Sequence, residues 1–291
     1  MQASIRSLSH EVCLPTGLRL PALGQGTWQM GDQKQTEEEE INALRGGINA
    51  GLTVIDTAEF YGDGRSERLV GRAIKAFPRE KLFIVSKVLP TNANPARMTI
   101  SCERSLRNLG LEWLDLYLLH WRGGENLAEV VKCMESLVDK GLIKQWGVSN
   151  FDLDDMEQLW RIPKGNHCVV NQVLYHLGSR GIEFDLMPWM AAKKVPVMAY
   201  CPIAQAGEIH RGIYSNDVVK QIAARHHATI PQILLAFTLH TRNVIAIPKS
   251  SNPAHTAENA AADKIELTDE DMKELNTVFP PPNHKICLDI V

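Results

Sequence analysis

Short apolar runs alternate with amphipathic stretches along almost the whole chain. The runs at 22–27, 53–56, 82–87, 114–120, 143–149, 168–173, 195–200 and 244–247 are rich in Val, Ile and Leu. Their shortness and β-branching predict strands buried on both faces. The stretches between them carry apolar residues at helical spacing, so helices are predicted over 36–50, 66–76, 96–109, 127–140, 152–161, 183–194, 217–226 and 231–240. Closing helices follow over 253–262 and 268–278. Thr36 and Ser66 read as N-caps, and Gly51, Gly110 and Gly141 as helix ends. The run Glu37 to Glu40 suits the positive end of a helix dipole.

Strands that alternate with helices imply parallel βαβ units, and eight such units close a (β/α)8 barrel of the TIM type. Residues 11–20 read as a β-hairpin turning at Gly17, a plug under the N-terminal end of the barrel. The expected organisation is one domain over 1–291, with residues 1–21 as the plug. Residues 280–291 form a tail over the barrel mouth. A doubly wound open sheet is the alternative. Gly24-Gln-Gly26-Thr-Trp-Gln29 resembles the start of a dinucleotide fingerprint, but Gln29 stands where the last glycine belongs, so that reading is rejected.

Composition changes this picture little. The 291 residues are 44% hydrophobic and 22% charged with a formal net charge of -3, as in an ordinary globular protein. No Lys/Arg block points to nucleic acid or an anionic membrane. No apolar run approaches the ~18 residues of a membrane span. Six scattered cysteines with no CxxC pair suggest reduced thiols in a cytoplasm. The ten histidines form neither HxH nor HExxH, so no metal is expected.

The chemistry of such a barrel lies at the C-terminal ends of its strands. Those ends carry Trp28, Asp56, Lys87, His120, Ser149 with Asn150, Gln172, Tyr200, and Pro248 with Lys249. A full ring of polar and aromatic residues is hard to explain by core packing. Tyr61 follows Asp56 by five residues. Its phenol is too weak an acid near neutrality, but a nearby Lys87 ammonium would lower its pKa, and Asp56 would hold the lysine. His120 can orient a substrate oxygen. The set suits polarising a carbonyl and protonating the resulting alkoxide. Nothing in it supplies a hydride, so a cofactor is implied. Ser149, Asn150 and Gln172 can hydrogen-bond a carboxamide, Tyr200 can stack on a flat ring, and Lys249 beside a helix start suits a phosphate.

At these residues the chain resembles the aldo-keto reductase family. The motifs are Leu52-Thr-Val-Ile-Asp-Thr-Ala-Glu-Phe-Tyr-Gly62 with Gly71, Val85-Ser-Lys87, Leu114-Asp-Leu-Tyr-Leu-Leu-His-Trp121 and Gly141-Leu-Ile-Lys-Gln-Trp-Gly-Val-Ser-Asn150. Asn171-Gln172, Ala199-Tyr-Cys-Pro202, Ile247-Pro-Lys-Ser250 and Glu258-Asn259 complete them. Gln172 to Gly181 is similar to the prokaryotic branch that reduces methylglyoxal and keto-sugar acids. The resemblance implies NADPH-dependent carbonyl reduction, with Asp56, Tyr61, Lys87 and His120 as the catalytic tetrad and Tyr61 as proton donor. It implies carboxamide contacts from Ser149, Asn150 and Gln172, and stacking on Tyr200. It implies 2′-phosphate contacts from Lys249 and Ser250, adenine contacts from Glu258 and Asn259, and a place for Pro202 near the pyrophosphate. Trp28, Phe60, Leu89 and Trp121 fall where the family lines its substrate pocket.

Two departures stand out. His255 occupies the place of an arginine beside the 2′-phosphate, a weaker clamp that leaves NADH more admissible. Cys201 replaces a serine before Pro202, as a small core-filling residue or a redox-sensitive thiol. His176 and Arg180 border the Gln172 loop, within possible reach of substrate. Trp146, Trp160 and Trp189 are expected in the core or in helix packing, and His226 and His227 on the surface. The reading is thus a monomeric reductase of small carbonyl compounds, methylglyoxal first. A keto-sugar-acid reductase, a Schiff-base aldolase built on Lys87, and an NADP(H)-holding redox sensor are the rivals.

Overall fold

The computed structural model describes residues 5–205 and 207–291. Two strands, β1 (Glu11–Cys13) and β2 (Arg19–Pro21), pair antiparallel as the expected hairpin. Eight strands then pair in parallel in chain order: β3 (Gln25–Gly26), β4 (Val54–Asp56), β5 (Phe83–Val88), β6 (Leu114–Leu119), β7 (Ile143–Ser149), β8 (Asn171–Leu174), β9 (Val197–Tyr200) and β10 (Val244–Ala246). The ring closes beside β3, where the Gly24 N–H donates to the Ala246 carbonyl and the Ala246 N–H to the Ala22 carbonyl, both at 2.8 Å. This closure explains the glycine pair. A Cβ on Gly24 would stand 2.6 Å from the Val54 carbonyl oxygen, and one on Gly26 2.8 Å from that of Ile247. Gly24-Gln-Gly26 is therefore a packing requirement of the barrel seam, not a phosphate turn.

The crossovers are α1 (Glu37–Asn49), α2 (Arg65–Ile74), α3 (Met98–Leu109), α4 (Leu127–Asp139), α5 (Leu153–Trp160) and α6 (Leu186–Ala192). Between β9 and β10 lie α7 (Glu208–Ser215), α8 (Asp217–Arg225) and α9 (Ile230–His240). The chain closes with α10 (Pro253–Ala261) and α11 (Asp269–Val278). Because successive strand residues face opposite ways, the core divides into two shells. Val54, Val85, Leu116, Val170, Met198 and Ile245 fill the barrel, with Val12, Leu14 and Leu20 of the hairpin packed into the same cluster. Ile55, Ile84, Tyr117 and Trp146 face outward onto the helices, against residues such as Leu44, Val70 and Leu106. No helix among the described residues is long and apolar enough to cross a membrane.

Several local expectations are corrected. Thr36 makes no capping hydrogen bond to α1. A 3-10 turn (Lys34–Thr36) precedes the helix, and the Thr36 hydroxyl donates to the Gln33 carbonyl at 3.0 Å instead. Ser66 is not the cap of α2, which starts one residue earlier behind Gly64 at φ 78°. Its hydroxyl turns inward, to Thr27 Oγ1 at 2.7 Å. The helix expected over 183–194 shrinks to α6, preceded by a 3-10 turn (Gly181–Glu183). Helix α7 was not anticipated, because Gly207 and Gly212 interrupt its apolar pattern and only Ile213 is buried.

Candidate active site

Asp56 ends β4, and the register of β4 with β5 sets it opposite Val85. Lys87 lies two residues beyond Val85 and so shares its inward face. The lysine is fully buried. Its ammonium donates to Asp56 Oδ2 at 2.7 Å, to the Thr57 carbonyl at 2.9 Å and to the Tyr61 hydroxyl at 2.9 Å. All three of its protons are engaged. The other carboxylate oxygen of Asp56 accepts from Gln172 Nε2 at 2.7 Å. Gln172, expected to reach a carboxamide, therefore commits an amide hydrogen to the carboxylate.

The Tyr61 ring meets the His120 ring edge-on with centroids 5.7 Å apart, and the Trp28 ring at 4.9 Å. Phe60 lies 6.1 Å from His120 and 6.2 Å from Trp121. Trp28, Phe60 and Trp121 are 47%, 49% and 38% exposed, unusual for such large apolar side chains, and they wall an open cleft above buried Asp56, Lys87 and His120 and half-buried Tyr61. Leu89 is half-buried at its edge.

Burial governs the titration of these groups. It pushes Asp56 up and Lys87 down, each toward its neutral form, against their mutual attraction. It lowers His120 to about 2, with the Lys87 charge adding to the effect, so the imidazole is neutral. His120 Nδ1 is buried without a hydrogen-bond partner. The expected lowering of the Tyr61 pKa is not what the protein alone produces. Burial raises the phenol well above 10, and the Asp56 charge raises it further. Loss of solvent around the phenolate is the largest cause.

The neighbouring strand ends form a second hydrogen-bonded group. The Ser149 hydroxyl donates to the Gln172 carbonyl at 2.8 Å. Asn150 Nδ2 donates to the His120 carbonyl at 3.2 Å, and the Tyr200 hydroxyl to Asn150 Oδ1 at 2.9 Å. Gln29, Asn150 and Cys201, just past β3, β7 and β9, hold φ of 64°, 55° and 51°. Left-handed backbone at non-glycine residues is costly, and here it recurs around one mouth. Burial raises the Cys201 thiol to about 11, which keeps it protonated and argues against a reactive thiolate.

Lys249, Ser250, His255, Glu258 and Asn259 line one cavity of about 390 Å³, together with Glu39 and Asn252. Asn252 caps α10 by accepting from the Ala254 and His255 N–H groups. Pro202 is buried just past β9. A cation, hydroxyls and a helix start around one open cavity fit a nucleotide phosphate.

His176, Arg180 and His226 have roles different from those expected, whereas the three tryptophans pack as expected. His176 is buried and bonds Gln205 at 3.1 Å, while Arg180 pairs with Glu183 at 2.8 Å and donates to the Phe279 carbonyl at 2.6 Å. Both are committed to holding their loop. His226 is not a free surface residue, since its Nε2 lies 2.8 Å from Asp271. Trp160 and Trp189 pack edge-on at 5.1 Å, and Trp146 is buried. The tail stays non-helical. Lys285 reaches Asp152 at 2.6 Å and Asp185 at 3.0 Å, and Ser179 donates to Asp289.

Glu59 carries a role the motif alone did not reveal. Its buried carboxylate accepts from the Leu89 N–H at 2.8 Å, from Asn92 Nδ2 at 3.0 Å and from Arg104 Nη2 at 2.6 Å. It ties the loop bearing Phe60 and Tyr61 to the loop bearing Leu89. A single charged residue inside an apolar signature, Ala58-Glu-Phe60, was the only available hint.

The model of the Aldo/keto reductase family matches residues 22–279. The chain is 50% identical over 272 residues to the methylglyoxal reductase YeaE of Escherichia coli K12, covering 94% of this chain and 95% of that protein. It is 31% identical over 274 residues to the glyoxal reductase of Bacillus subtilis, covering 94% of each. An aldo/keto reductase of Klebsiella pneumoniae, crystallised with NADP and acetate, superposes with a TM-score of 0.95 at 48% identity, covering 97% of this chain and 99% of that one. A second Klebsiella pneumoniae aldo-keto reductase structure, with NADPH, gives a TM-score of 0.94 at 46% identity, covering 99% and 100%.

Proposed function

The chain belongs to the aldo/keto reductase family, and on that premise we propose that it reduces aldehydes and α-dicarbonyls, methylglyoxal first among them, to alcohols with NADPH. The similar Escherichia coli and Bacillus subtilis proteins are named for methylglyoxal and glyoxal. The observation that carries the reading is the Lys87 ammonium, which touches Asp56 and Tyr61 at once.

A bound NADPH would supply the hydride that the carbonyl carbon takes up. Lys249 and Ser250, with His255 beside them, would hold its 2′-phosphate, Glu258 and Asn259 the adenine, and Pro202 the stretch between. Ser149, Asn150 and Gln172 would hold the carboxamide, and Tyr200 the face of the ring. The chain's own work is at the carbonyl oxygen. Tyr61 donates its proton there as alkoxide character develops. Its raised pKa keeps it protonated at neutral pH, and an alkoxide is a strong enough base to take that proton. The phenolate left behind is stabilised by the Lys87 ammonium, which Asp56 anchors. His120, neutral, donates one N–H to the same oxygen and orients it. Trp28, Phe60, Leu89 and Trp121 shed water from the cleft and favour compact substrates.

A Schiff-base aldolase needs a lysine lone pair, and all three Lys87 protons are already engaged, which disfavours that reading. We take the working unit as a monomeric single-domain barrel with its 280–291 tail beside the mouth, acting in a cytoplasm, where six free thiols would persist. Initial rates with NADPH and NADH across methylglyoxal, aromatic aldehydes, sugars and keto acids test the proposal. NADPH-dependent turnover with the highest kcat/KM on methylglyoxal is the expected result. A higher kcat/KM on keto-sugar acids would shift the substrate class, and NADPH binding without turnover on any carbonyl would overturn the enzyme.

A further inference from the structure

Helix α2 carries Arg65, Arg68 and Arg72, and Lys75 is its C-cap; spaced three, four and three residues apart, all four share one exposed face. Like charges at these spacings oppose one another. Arg65 and Arg68 also stand in the first turn, where the helix dipole disfavours cations. Local helix stability therefore does not account for the row. Arg107 of α3 faces it, and together the five cations line a groove of about 490 Å³ that holds one carboxylate, Glu37.

Two of the five are neutralised. Arg72 pairs with Glu37 at 2.8 Å and Arg65 with Asp32 at 2.9 Å. Arg68, Lys75 and Arg107 have no carboxylate partner among the described residues. Arg68 donates only to neutral oxygens, those of Asn108 at 3.3 Å and of the Asp63 carbonyl at 3.5 Å. Gly71 forms the floor. A Cβ there would stand 2.6 Å from the Leu109 carbonyl oxygen, so α2 and the end of α3 approach as closely as backbone allows. In a chain of net charge -3 this is a concentrated positive site. It shares no residue with the cavity lined by Lys249 and His255.

We propose that this groove between α2 and α3 is a second anion site that binds a small molecule carrying two or more phosphate groups. Guanidinium forks match phosphate oxygens in pairs, and a ligand holding several anionic groups can engage Arg68, Lys75 and Arg107 together. The groove has the volume of a small-molecule site. Its lining on the outer helix layer includes none of the tetrad, cleft or cofactor-cavity residues, so its occupancy does not require displacement of cofactor or substrate.

The test is titration of NADPH-saturated protein with inorganic tripolyphosphate and, separately, with a sugar bisphosphate, at fixed ionic strength. Sodium chloride and sulfate serve as controls. Binding is expected for at least one polyphosphate and is expected to weaken about ten-fold or more in the Arg68→Gln/Arg107→Gln variant. Preference for the inorganic or the sugar probe tells which source supplies the phosphates. Lys249→Ala should leave the affinity unchanged, which separates the groove from the cofactor's own phosphate site. Equal binding by the wild type and the double variant would overturn the proposal, as would no binding at all. Capture of single-stranded nucleic acid without any response to either small polyphosphate would overturn it too.

Discussion

The Lys87 ammonium stands 2.9 Å from the Tyr61 hydroxyl and 4.6 Å from the centre of its ring. The lysine thus sits beside the oxygen it would stabilise as phenolate, while a buried carboxylate fixes it from behind. Substituting Tyr61→Phe removes the hydroxyl and little else. Turnover should fall by about 10²–10⁴-fold, the usual contribution of a positioned acid. The Kd for NADPH, read by fluorescence quenching, should stay within about two-fold. A variant that keeps near-normal kcat would remove Tyr61 from the chemistry.

The same contact has a stability consequence. Lys87→Met leaves the Asp56 carboxylate buried with only Gln172 as a donor. Urea unfolding should show a loss of about 3–5 kcal/mol, the cost of breaking a buried pair from one side. The Asp56→Asn/Lys87→Met double variant should recover much of that loss, since neither partner is then charged. A double variant no more stable than Lys87→Met would show that the pair is not coupled.

His120 links stability to pH. Its pKa falls from 6.5 to about 2 on folding, so below pH 6.5 the unfolded chain binds a proton that the native state refuses. Stability therefore drops as pH falls through that window, by about 1 kcal/mol per unit for this group. His176, lowered to about 4, adds to the slope over a narrower range. The difference between wild type and His120→Asn, followed by denaturant midpoints from pH 7 to 5, isolates the His120 share. Identical slopes would mean the ring is not held neutral.

Glu59 should act on substrate through position. Glu59→Ala frees the Leu89 N–H and Asn92 and leaves Arg104 unpaired. KM for methylglyoxal is expected to rise about ten-fold with a smaller change in kcat, as for a lost contribution to binding geometry. Asn92→Ala, a milder cut of the same clamp, should move KM the same way. A fall in melting temperature with KM unmoved in both variants would leave Glu59 purely structural.

The place of His255 in the cavity with Lys249 bears on cofactor choice. His255→Arg adds a permanent charge and a planar fork. It should tighten NADPH by about ten-fold and leave NADH nearly unchanged, measured as separate Kd values. Equal tightening of both would place the side chain away from the 2′-phosphate.

Much of this architecture is legible in the chain alone, for physical reasons that act locally. β-branched runs such as 82–87 and the helix between each pair are fixed by short-range pattern, and the barrel follows because parallel strands need crossovers. The end of an apolar run marked Asp56, Lys87 and His120, since a charge or an imidazole there is conspicuous. Other features depend on neighbours distant in sequence. Ser66 resembles a cap until Thr27 is seen across from it at 2.7 Å. Gln172 is a free amide in the sequence and a partner of Asp56 in space, 116 residues away. The direction of the Tyr61 pKa is not legible in the chain, because adjacency to a cation can be inferred from residue types, but the depth of burial cannot. Local pattern along the chain sets the order of elements and which side chains lie at strand ends. Which of these touch, and how much water they lose, emerges on folding, because both depend on packing between segments the chain does not place side by side.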